Sequence, residues 1–308
     1  MNAVLLLAFG GPTRLEEIRP FIANVIRGRP VPPERAEEVA RHYEIVGSCS
    51  PLTEVTFRQA EALRRHLARE GLALPVYVGM RNWKPYVVDT LREMAARGVR
   101  RATTIVLAPH RSEASWECYI AAVDSGRAEI GPTAPAIDYA DPWHAHPLFI
   151  EAVASRVEAR CAAVRDSCPG PVHVLFTAHS IPVSMSDASG YASQVEETAR
   201  LISERLGLGR WSVTYQSRSG DPRDPWLEPD IRNTLRALAA EGTADVIAAP
   251  IGFVCEQVEL TYDLDVEART LASELGLSFA RVRAVDDHPA FIRLLAELVC
   301  SREPRGGC

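Results

Sequence analysis

The chain has 308 residues, of which 47% are hydrophobic and 24% charged, and its formal net charge is −6 at pH 7. This composition is typical of a globular protein and excludes an intrinsically disordered chain. The negative charge, without a basic run interleaved with aromatic residues, excludes nucleic acid as an expected partner. The length predicts two domains or one large domain.

The beginning of the chain carries no recognisable export signal. An apolar run at 3–9 follows Met1 without a basic segment or a cleavage site. No apolar run approaches the ~20 residues that a membrane-spanning helix needs. We therefore expect a cytoplasmic protein, and peripheral contact with the inner face of the membrane stays open. Cysteines spread widely through such a chain argue against a disulfide framework.

Short apolar runs that are rich in β-formers predict eight strands, at 4–9, 75–79, 103–108, 135–139, 172–177, 212–215, 246–250 and 278–282. Most are continuously apolar, which is typical of parallel strands covered by helices on both faces. Longer amphipathic segments alternate with them, such as 54–69, where we place Phe57 on the apolar face, and 289–300. This alternation predicts an α/β fold with a mainly parallel sheet.

The strands fall into two sets of four, which predicts two similar Rossmann-like lobes. We place the N-terminal lobe at 1–142 and the C-terminal lobe at 143–308, with the last helix, at about 288–300, packing back on the first lobe. The first connection, 10–74, is too long for a simple crossover. Its apolar segment 18–26 predicts a flap over the ligand-binding edge of the sheet.

Ligands of open α/β sheets bind beyond the carboxyl ends of the strands, where polar residues are therefore candidates for function. His179 directly follows the fifth strand and is either a proton acceptor or metal ligand, or a histidine bonded to backbone in a tight turn. Glu259, Asp263 and Glu267 are spaced four apart after the seventh strand. On an α-helix they would form one row, either a solvated face or a path for a divalent cation.

Several common site motifs are missing from the sequence. It contains neither the HxxxH nor the CxxC spacing of zinc sites, and neither GxxxxGK[S/T] nor GxGxxG. We therefore predict no nucleotide cofactor. The GxSxG turn of the common hydrolases is also absent.

Seven segments carry the most specific patterns, from one end of the chain to the other. They are LLLAFGGP at 5–12, HYEIVGSCSPL at 42–52, YVGMR at 77–81, LAPH at 107–110, TAHSIP at 177–182, YQS with PWL at 215–217 and 225–227, and GFVCEQVE at 252–259. In this order they resemble the ferrochelatase family, lyases that insert Fe²⁺ into a porphyrin in haem biosynthesis. The resemblance implies two Rossmann-like lobes with the porphyrin between them.

The resemblance also implies roles for individual residues. His179 and Glu259 match the family's metal- and proton-handling pair, and Asp263 and Glu267 match acidic positions leading toward solvent. Gln257 stands where many relatives have a second histidine, which puts that histidine's role as an obligatory base in doubt. Positions that contact porphyrin in the family fall at or beside Phe9, Arg27, Tyr43, Ser50, Arg81 and Tyr119.

The resemblance leaves the substrate open between two porphyrins. We expect insertion of Fe²⁺ into protoporphyrin IX, and the alternatives are coproporphyrin III, a different metal such as cobalt, or a non-catalytic haem- or porphyrin-binding protein. The expected partners are porphyrin and ferrous iron, with hand-over from the preceding enzyme of the porphyrin pathway left open. We expect a monomer.

Some ferrochelatases hold a [2Fe–2S] cluster through cysteines near the C-terminus and one internal cysteine. Here two cysteines match the outer positions of that tail pattern, and Glu303 stands at the middle one. Two more cysteines lie at the end of a predicted helix and in the loop that precedes the fifth strand. Because thiolate quartets hold such clusters, we predict a [2Fe–2S] cluster on Cys161, Cys168, Cys300 and Cys308.

Overall fold

The computed structural model describes residues 1–28, 31–47, 49–165, 171–219 and 223–302. Eight strands form two parallel sheets of four, with the order β2-β1-β3-β4 in one and β6-β5-β7-β8 in the other. The strands are β1 (Asn2–Ala8), β2 (Val76–Met80), β3 (Arg101–Val106), β4 (Ala136–Tyr139), β5 (Val172–His179), β6 (Trp211–Gln216), β7 (Asp245–Pro250) and β8 (Ser278–Arg281). The predicted fold class, with a strand at each predicted place, is confirmed.

Helices connect the strands, as a parallel arrangement requires. They are α1 (Ile18–Val25), α2 (Pro33–Ile45), α3 (Leu52–Arg69), α4 (Val87–Ala96), α5 (Cys118–Ile130), α6 (Pro147–Arg165), α7 (Val183–Ser189), α8 (Tyr191–Leu206), α9 (Ile231–Ala240), α10 (Val258–Leu260), α11 (Arg269–Glu274) and α12 (Pro289–Cys300). Two segments are π-helical, Glu113–Glu117 and Thr261–Ala268. No described helix has the length and apolar character needed to cross a membrane.

The chain divides into two units by its contacts. The first comprises 1–108, 114–142 and the described part of 286–308, and the second comprises 109–113 and 143–285. Within the first unit, α12 packs against α3. There the Gln59 Nε2 atom donates to the Asp286 carbonyl oxygen at 2.8 Å.

Each sheet is covered by apolar helix faces that the sequence pattern largely explains. In the second unit, one core joins Leu175 of β5 and Val246 of β7 to Leu235 of α9 and Leu264 of the second π-helix. The apolar face predicted for 54–69 needs one correction, because Phe57 is exposed. Leu52, Val55, Ala60, Leu63 and Leu67 define the buried stripe of α3, and Phe57 lies off that stripe.

The acidic row expected on an α-helix is also corrected. Glu259 lies in the three-residue helix α10, and Asp263 and Glu267 lie in the π-helix Thr261–Ala268 that follows. A π-helix bonds residue i to i+5, so its turns are wider than those of an α-helix. Residues four apart therefore do not stack here as they would on a regular α-helix.

Candidate active site

In the first unit, the carboxyl ends of β1 and β2 bring Phe9 and Arg81 together. The strands pair in parallel, and the Arg81 backbone nitrogen donates to the Ala8 carbonyl at 3.0 Å. The Arg81 guanidinium lies 5.4 Å from the centroid of the Phe9 ring and 5.6 Å from that of Tyr119, and it donates to the Ala114 carbonyl at 3.2 Å. Such cation–π contacts hold an arginine in a fixed orientation.

Phe21 of α1 joins this group to Tyr43 and extends it into an aromatic cluster. Its ring centroid lies 6.2 Å from Phe9 and 6.0 Å from both Tyr43 and Trp83, and each pair packs edge to face. Phe21 and Trp83 are buried, and the sequence interpretation did not name either as a site residue. The only sequence signals were the apolar content of 18–26 and the position of Trp83 just after β2.

Ser50 and Arg27, the other predicted porphyrin contacts, differ in their surroundings. Ser50 is buried, and its nitrogen donates to the Pro12 carbonyl at 2.9 Å. A Cβ atom added to Gly11 would lie 2.8 Å from the Ser50 Cβ, so this close approach requires glycine. Arg27 is exposed, and its Nη2 donates to the Asn24 Oδ1 at 2.6 Å. Ser50 therefore adjoins the loop after β1, whereas Arg27 lies at the surface beyond α1.

The carboxylate of Glu17 fixes the loop after β1 relative to Trp83. It accepts hydrogen bonds from the Thr13 nitrogen at 2.9 Å, the Thr13 hydroxyl at 3.0 Å, Arg14 at 3.0 Å and the Trp83 Nε1 at 3.2 Å. Burial raises the pKa of Glu17, but the hydrogen bonds from Thr13, Arg14 and Trp83 together lower it to about 2. The carboxylate is therefore ionised, and these bonds persist, well into the acidic range.

In the second unit, His179 is the last residue of β5, and one of its ring nitrogens forms a hydrogen bond with the backbone. Its Nδ1 lies at the Ser180 carbonyl oxygen, and we assign the proton to Nδ1 because a carbonyl only accepts. The Nε2 of the neutral ring then keeps its lone pair for a proton or a metal. The Tyr191 hydroxyl donates to the His179 carbonyl at 3.0 Å and fixes the backbone there. A hydrogen bond from Nδ1 to the backbone is therefore compatible with a functional role for Nε2.

The loop after β7 approaches the end of β5 closely. A Cβ atom on Gly252 would lie 2.9 Å from the Ala178 Cα, closer than real Cβ contacts allow. The next residue, Phe253, places its ring centroid 6.5 Å from that of His179. Glycine at 252 thus permits this loop, which leads to Glu259, to lie against the strand that carries His179.

Among the acidic residues of the predicted path, Asp263 has a described hydrogen-bond partner, the side chain of Ser217. Its Oδ2 accepts a hydrogen bond from the Ser217 hydroxyl. Ser217 has a φ of 63°, in the left-handed region that side chains rarely adopt. Glu259 and Glu267 are exposed. A residue with strained backbone and a π-helix are both features that concentrate at functional sites.

Three buried side chains, two at the paired ends of β5 and β6 and one just before α10, have polar atoms that no described protein atom satisfies. They are the Thr177 hydroxyl, both amide atoms of Gln216 and the Gln257 Nε2. Gln216 pairs with His179 in the register of β5 and β6. Since buried polar atoms are normally paired with protein, water or a ligand, this edge fits a polar ligand or ordered water. An amide at position 257 cannot take a proton as a histidine would.

The described cysteines give no support for the predicted cluster. Cys161 is buried in α6 and Cys300 is exposed at the end of α12, while Cys168 and Cys308 lie outside the described residues. Over the described ranges, no three or more His, Cys, Asp or Glu side chains gather where they could hold a metal ion. A closed metal centre is therefore not formed by the described part of the chain, and the cluster stays a prediction.

Comparison with known proteins gives matches along nearly the whole chain. A family model described as Ferrochelatase matches residues 1–303. The coproporphyrin III ferrochelatase of Mycobacterium avium is 42% identical over 310 residues, covering 98% of this chain and 90% of that protein. The coproporphyrin III ferrochelatase of Mycolicibacterium smegmatis is 40% identical over 301 residues, covering 97% and 88%.

Solved structures match the fold at low sequence identity. The sirohydrochlorin chelatase SirB from Bacillus subtilis subspecies spizizenii, in complex with cobalt, has a TM-score of 0.57 at 12% identity. The match covers 97% of this chain and 94% of that one. At this identity the likeness supports the two-lobe fold alone.

Proposed function

The chain belongs to the ferrochelatase family and is a metal-inserting lyase, and from this premise we propose that it inserts Fe²⁺ into coproporphyrin III. The substrate rests on one observation: the two relatives described above, at 42% and 40% identity, are both named coproporphyrin III ferrochelatases. Those names favour the alternative that the sequence left open over the expected protoporphyrin IX.

The proposed division of labour begins with the first unit, which binds the porphyrin. The aromatic cluster of Phe9, Phe21, Tyr43 and Trp83 fits a flat apolar macrocycle. The stacked guanidinium of Arg81 supplies a fixed positive charge for a propionate. Coproporphyrin III has propionates where protoporphyrin IX has vinyl groups, so charged contacts at the rim should favour it.

The second unit is proposed to handle the metal and the protons. Metallation must remove the pyrrole N–H protons and deliver Fe²⁺, which is a substrate here. The Nε2 lone pair of His179 accepts a proton or holds iron. Glu259 holds iron on its way in and takes protons on their way out, and Asp263 and Glu267 lead toward solvent. The side-chain amide of Gln257 can form hydrogen bonds but does not accept a proton. We therefore assign proton removal to His179 and Glu259.

Steady-state metallation under anaerobic conditions tests this function. Purified protein is supplied with Fe²⁺ and with either coproporphyrin III or protoporphyrin IX, and the loss of free porphyrin is followed by absorbance. We expect turnover with both and a higher kcat/KM for coproporphyrin III. A higher kcat/KM for protoporphyrin IX would overturn the substrate proposal. Porphyrin binding without turnover would favour the non-catalytic alternative.

The [2Fe–2S] cluster, the monomeric state, membrane contact and hand-over from the preceding enzyme remain predictions beside this proposal. The cluster is checked by the colour of anaerobically purified protein. A cluster on the four cysteines would give visible absorption that Cys300→Ser removes, whereas colourless active protein would contradict it. The proposed reaction itself needs no redox step, because iron enters and leaves as Fe²⁺.

A further inference from the structure

One largely buried arginine of the second unit binds two acidic residues that lie in the same chain segment as the proposed metal path. The side chain of Arg281, at the end of β8, is 10% exposed. Its Nη1 and Nη2 donate to the Glu256 carboxylate at 2.9 and 2.8 Å, a bidentate pair. Its Nε and Nη2 lie 2.8 and 2.7 Å from the Asp265 Oδ2.

Further bonds fix both carboxylates. Glu256 Oε1 also accepts the Ala284 nitrogen at 2.8 Å. Asp265 Oδ1 accepts Arg269 Nη2 at 2.9 Å. Burial lowers the pKa of Arg281, but its hydrogen bonds to Glu256 and Asp265 raise it by more, so the guanidinium is permanently charged. The group is a closed network in which each carboxylate has several donors.

The positions of the two carboxylates in the chain connect this network to the proposed metal path. Glu256 lies three residues before Glu259, and Asp265 lies two residues after Asp263. The segment 256–265 passes from loop through α10 into the π-helix. Because wide π-turns are rare and irregular, such a segment needs contacts from outside to hold one geometry. One guanidinium ties its two ends to β8.

We propose that Arg281 is a positioning residue for metal delivery, setting the places of Glu259 and Asp263 by binding Glu256 and Asp265 on either side of them. This proposal rests on the proposed function of that path. It also assigns Glu256 and Asp265 to Arg281 and not to the substrate cation, since their oxygens accept guanidinium donors. Removing the guanidinium would leave each carboxylate with fewer donors and would release the two ends of the segment from β8.

Arg281→Met keeps an unbranched apolar stem and removes every donor. Loss of outer contacts to metal-binding groups typically costs about 10- to 100-fold in metal affinity or activity. We therefore expect the KM for Fe²⁺ to rise by about that factor, while the Kd for porphyrin stays within about twofold. Arg281→Lys should recover only part of the loss, because one ammonium group cannot reproduce a bidentate fork.

Arg269→Met is the matched control. It removes an exposed donor from Asp265 but leaves the contact between Arg281 and Glu256 in place. We expect its KM for Fe²⁺ to stay within about twofold of wild type, as for most exposed ion pairs. Equal effects of the two substitutions would overturn the proposal, because the tie between both ends of the segment would then be irrelevant.

Co²⁺ titration of the porphyrin-free protein separates this proposal from the proposed function. Arg281→Met should weaken Co²⁺ binding relative to wild type even if wild type metallated no porphyrin, an outcome that would end only the proposed function. Should Arg281→Met fail to fold by circular dichroism, Glu256→Gln removes one charge with little change of shape and should shift the same constants. Unchanged Fe²⁺ KM and Co²⁺ affinity in a folded variant would refute the role of Arg281.

Discussion

In the first unit, the loops after β1 and β2 carry an aromatic ring and a stacked arginine, whereas in the second the end of β5 carries an imidazole and the helical segment after β7 carries carboxylates. The two sheets have equivalent strand orders, β2-β1-β3-β4 and β6-β5-β7-β8. The first strand of each set of four is therefore the second strand of its sheet. The shared fold therefore determines where functional residues lie, and the side chains placed there decide the chemistry.

The two regions also differ in what fixes them. Phe21 packs edge to face against three rings, and Glu17 bonds the loop after β1 to Trp83. In the second unit, the fixed elements are the backbone bond of His179 and the ion pairs of Arg281. Substitutions in the first unit should therefore alter porphyrin affinity, and those in the second should alter metal and proton steps.

The largest expected effect is that of Glu259→Gln. Removing a group that transfers protons typically costs about 10²–10⁴-fold in rate. We expect such a fall in kcat with an unchanged Kd for porphyrin, because Glu259 is exposed and lies outside the aromatic cluster. Glu274→Gln, another exposed glutamate of the same unit, is the control and should leave kcat unchanged. Near wild-type turnover of Glu259→Gln at saturating iron would remove Glu259 from the chemistry.

Acid should destabilise the second unit through the buried side chain of His110. Burial lowers the pKa of His110 from 6.5 to about 3, so the folded protein keeps it neutral while the unfolded chain takes up a proton below 6.5. Stability therefore falls as the pH drops from 6.5 toward 3, by about 1.4 kcal/mol per pH unit. Between pH 7 and 5 the loss amounts to about 2 kcal/mol.

Urea unfolding at both pH values checks this, with His110→Gln as the variant that removes the titrating group. The variant should lose about 2 kcal/mol less than wild type over the same interval. Glu17 adds no dependence there, because its lowered pKa gives stability that is lost only as the pH falls from 4.5 toward 2. Equal losses in wild type and variant would show that another group governs the response to acid.

Arg81→Met should weaken porphyrin binding and leave the metal step alone. A hydrogen bond to a charged group contributes about 1.5–3 kcal/mol, so we expect the Kd for coproporphyrin III to rise about tenfold or more. Fluorescence quenching measures this, with Arg92→Met, an exposed arginine of α4, as the control. A raised KM for Fe²⁺ with unchanged porphyrin affinity would break the proposed division between the units.

The smallest effect is expected from Asp263→Asn. A partly exposed carboxylate mainly attracts and holds the cation, so the KM for Fe²⁺ should rise about two- to fivefold while kcat changes less. Ser217→Ala, which removes the described donor to Asp263, should shift the same constant in the same direction. An iron dependence that is unchanged at low ionic strength would leave Asp263 as a solvated surface residue.

The sequence predicted the strands well because continuous apolar runs identify buried parallel strands. Local patterns could not place Phe57, whose exposure depends on which stripe of α3 the tertiary structure covers. They also missed the π-helix, since an apolar periodicity does not distinguish it from an α-helix over so few residues. The left-handed backbone of Ser217 has no signal in a non-glycine residue.

The site was predictable to a different extent in each unit. His179 could be proposed because it comes at the end of a buried strand, and the resemblance then implied a role for it. Phe21 and Trp83 could not be found, because their place in the aromatic cluster depends on residues distant in the chain. The network of Arg281 was missed for the same reason, since its partners lie 25 and 16 residues away.

The division of labour is tested most directly by measuring binding and metallation on the same variant, His179→Ala. Porphyrin affinity is measured by fluorescence, and the chemical step by single-turnover mixing with Fe²⁺ under anaerobic conditions. We predict a Kd for coproporphyrin III within about twofold of wild type and metallation slowed by about 10²–10⁴-fold. Metallation at the wild-type rate, or a fall explained entirely by lost porphyrin affinity, would contradict the account.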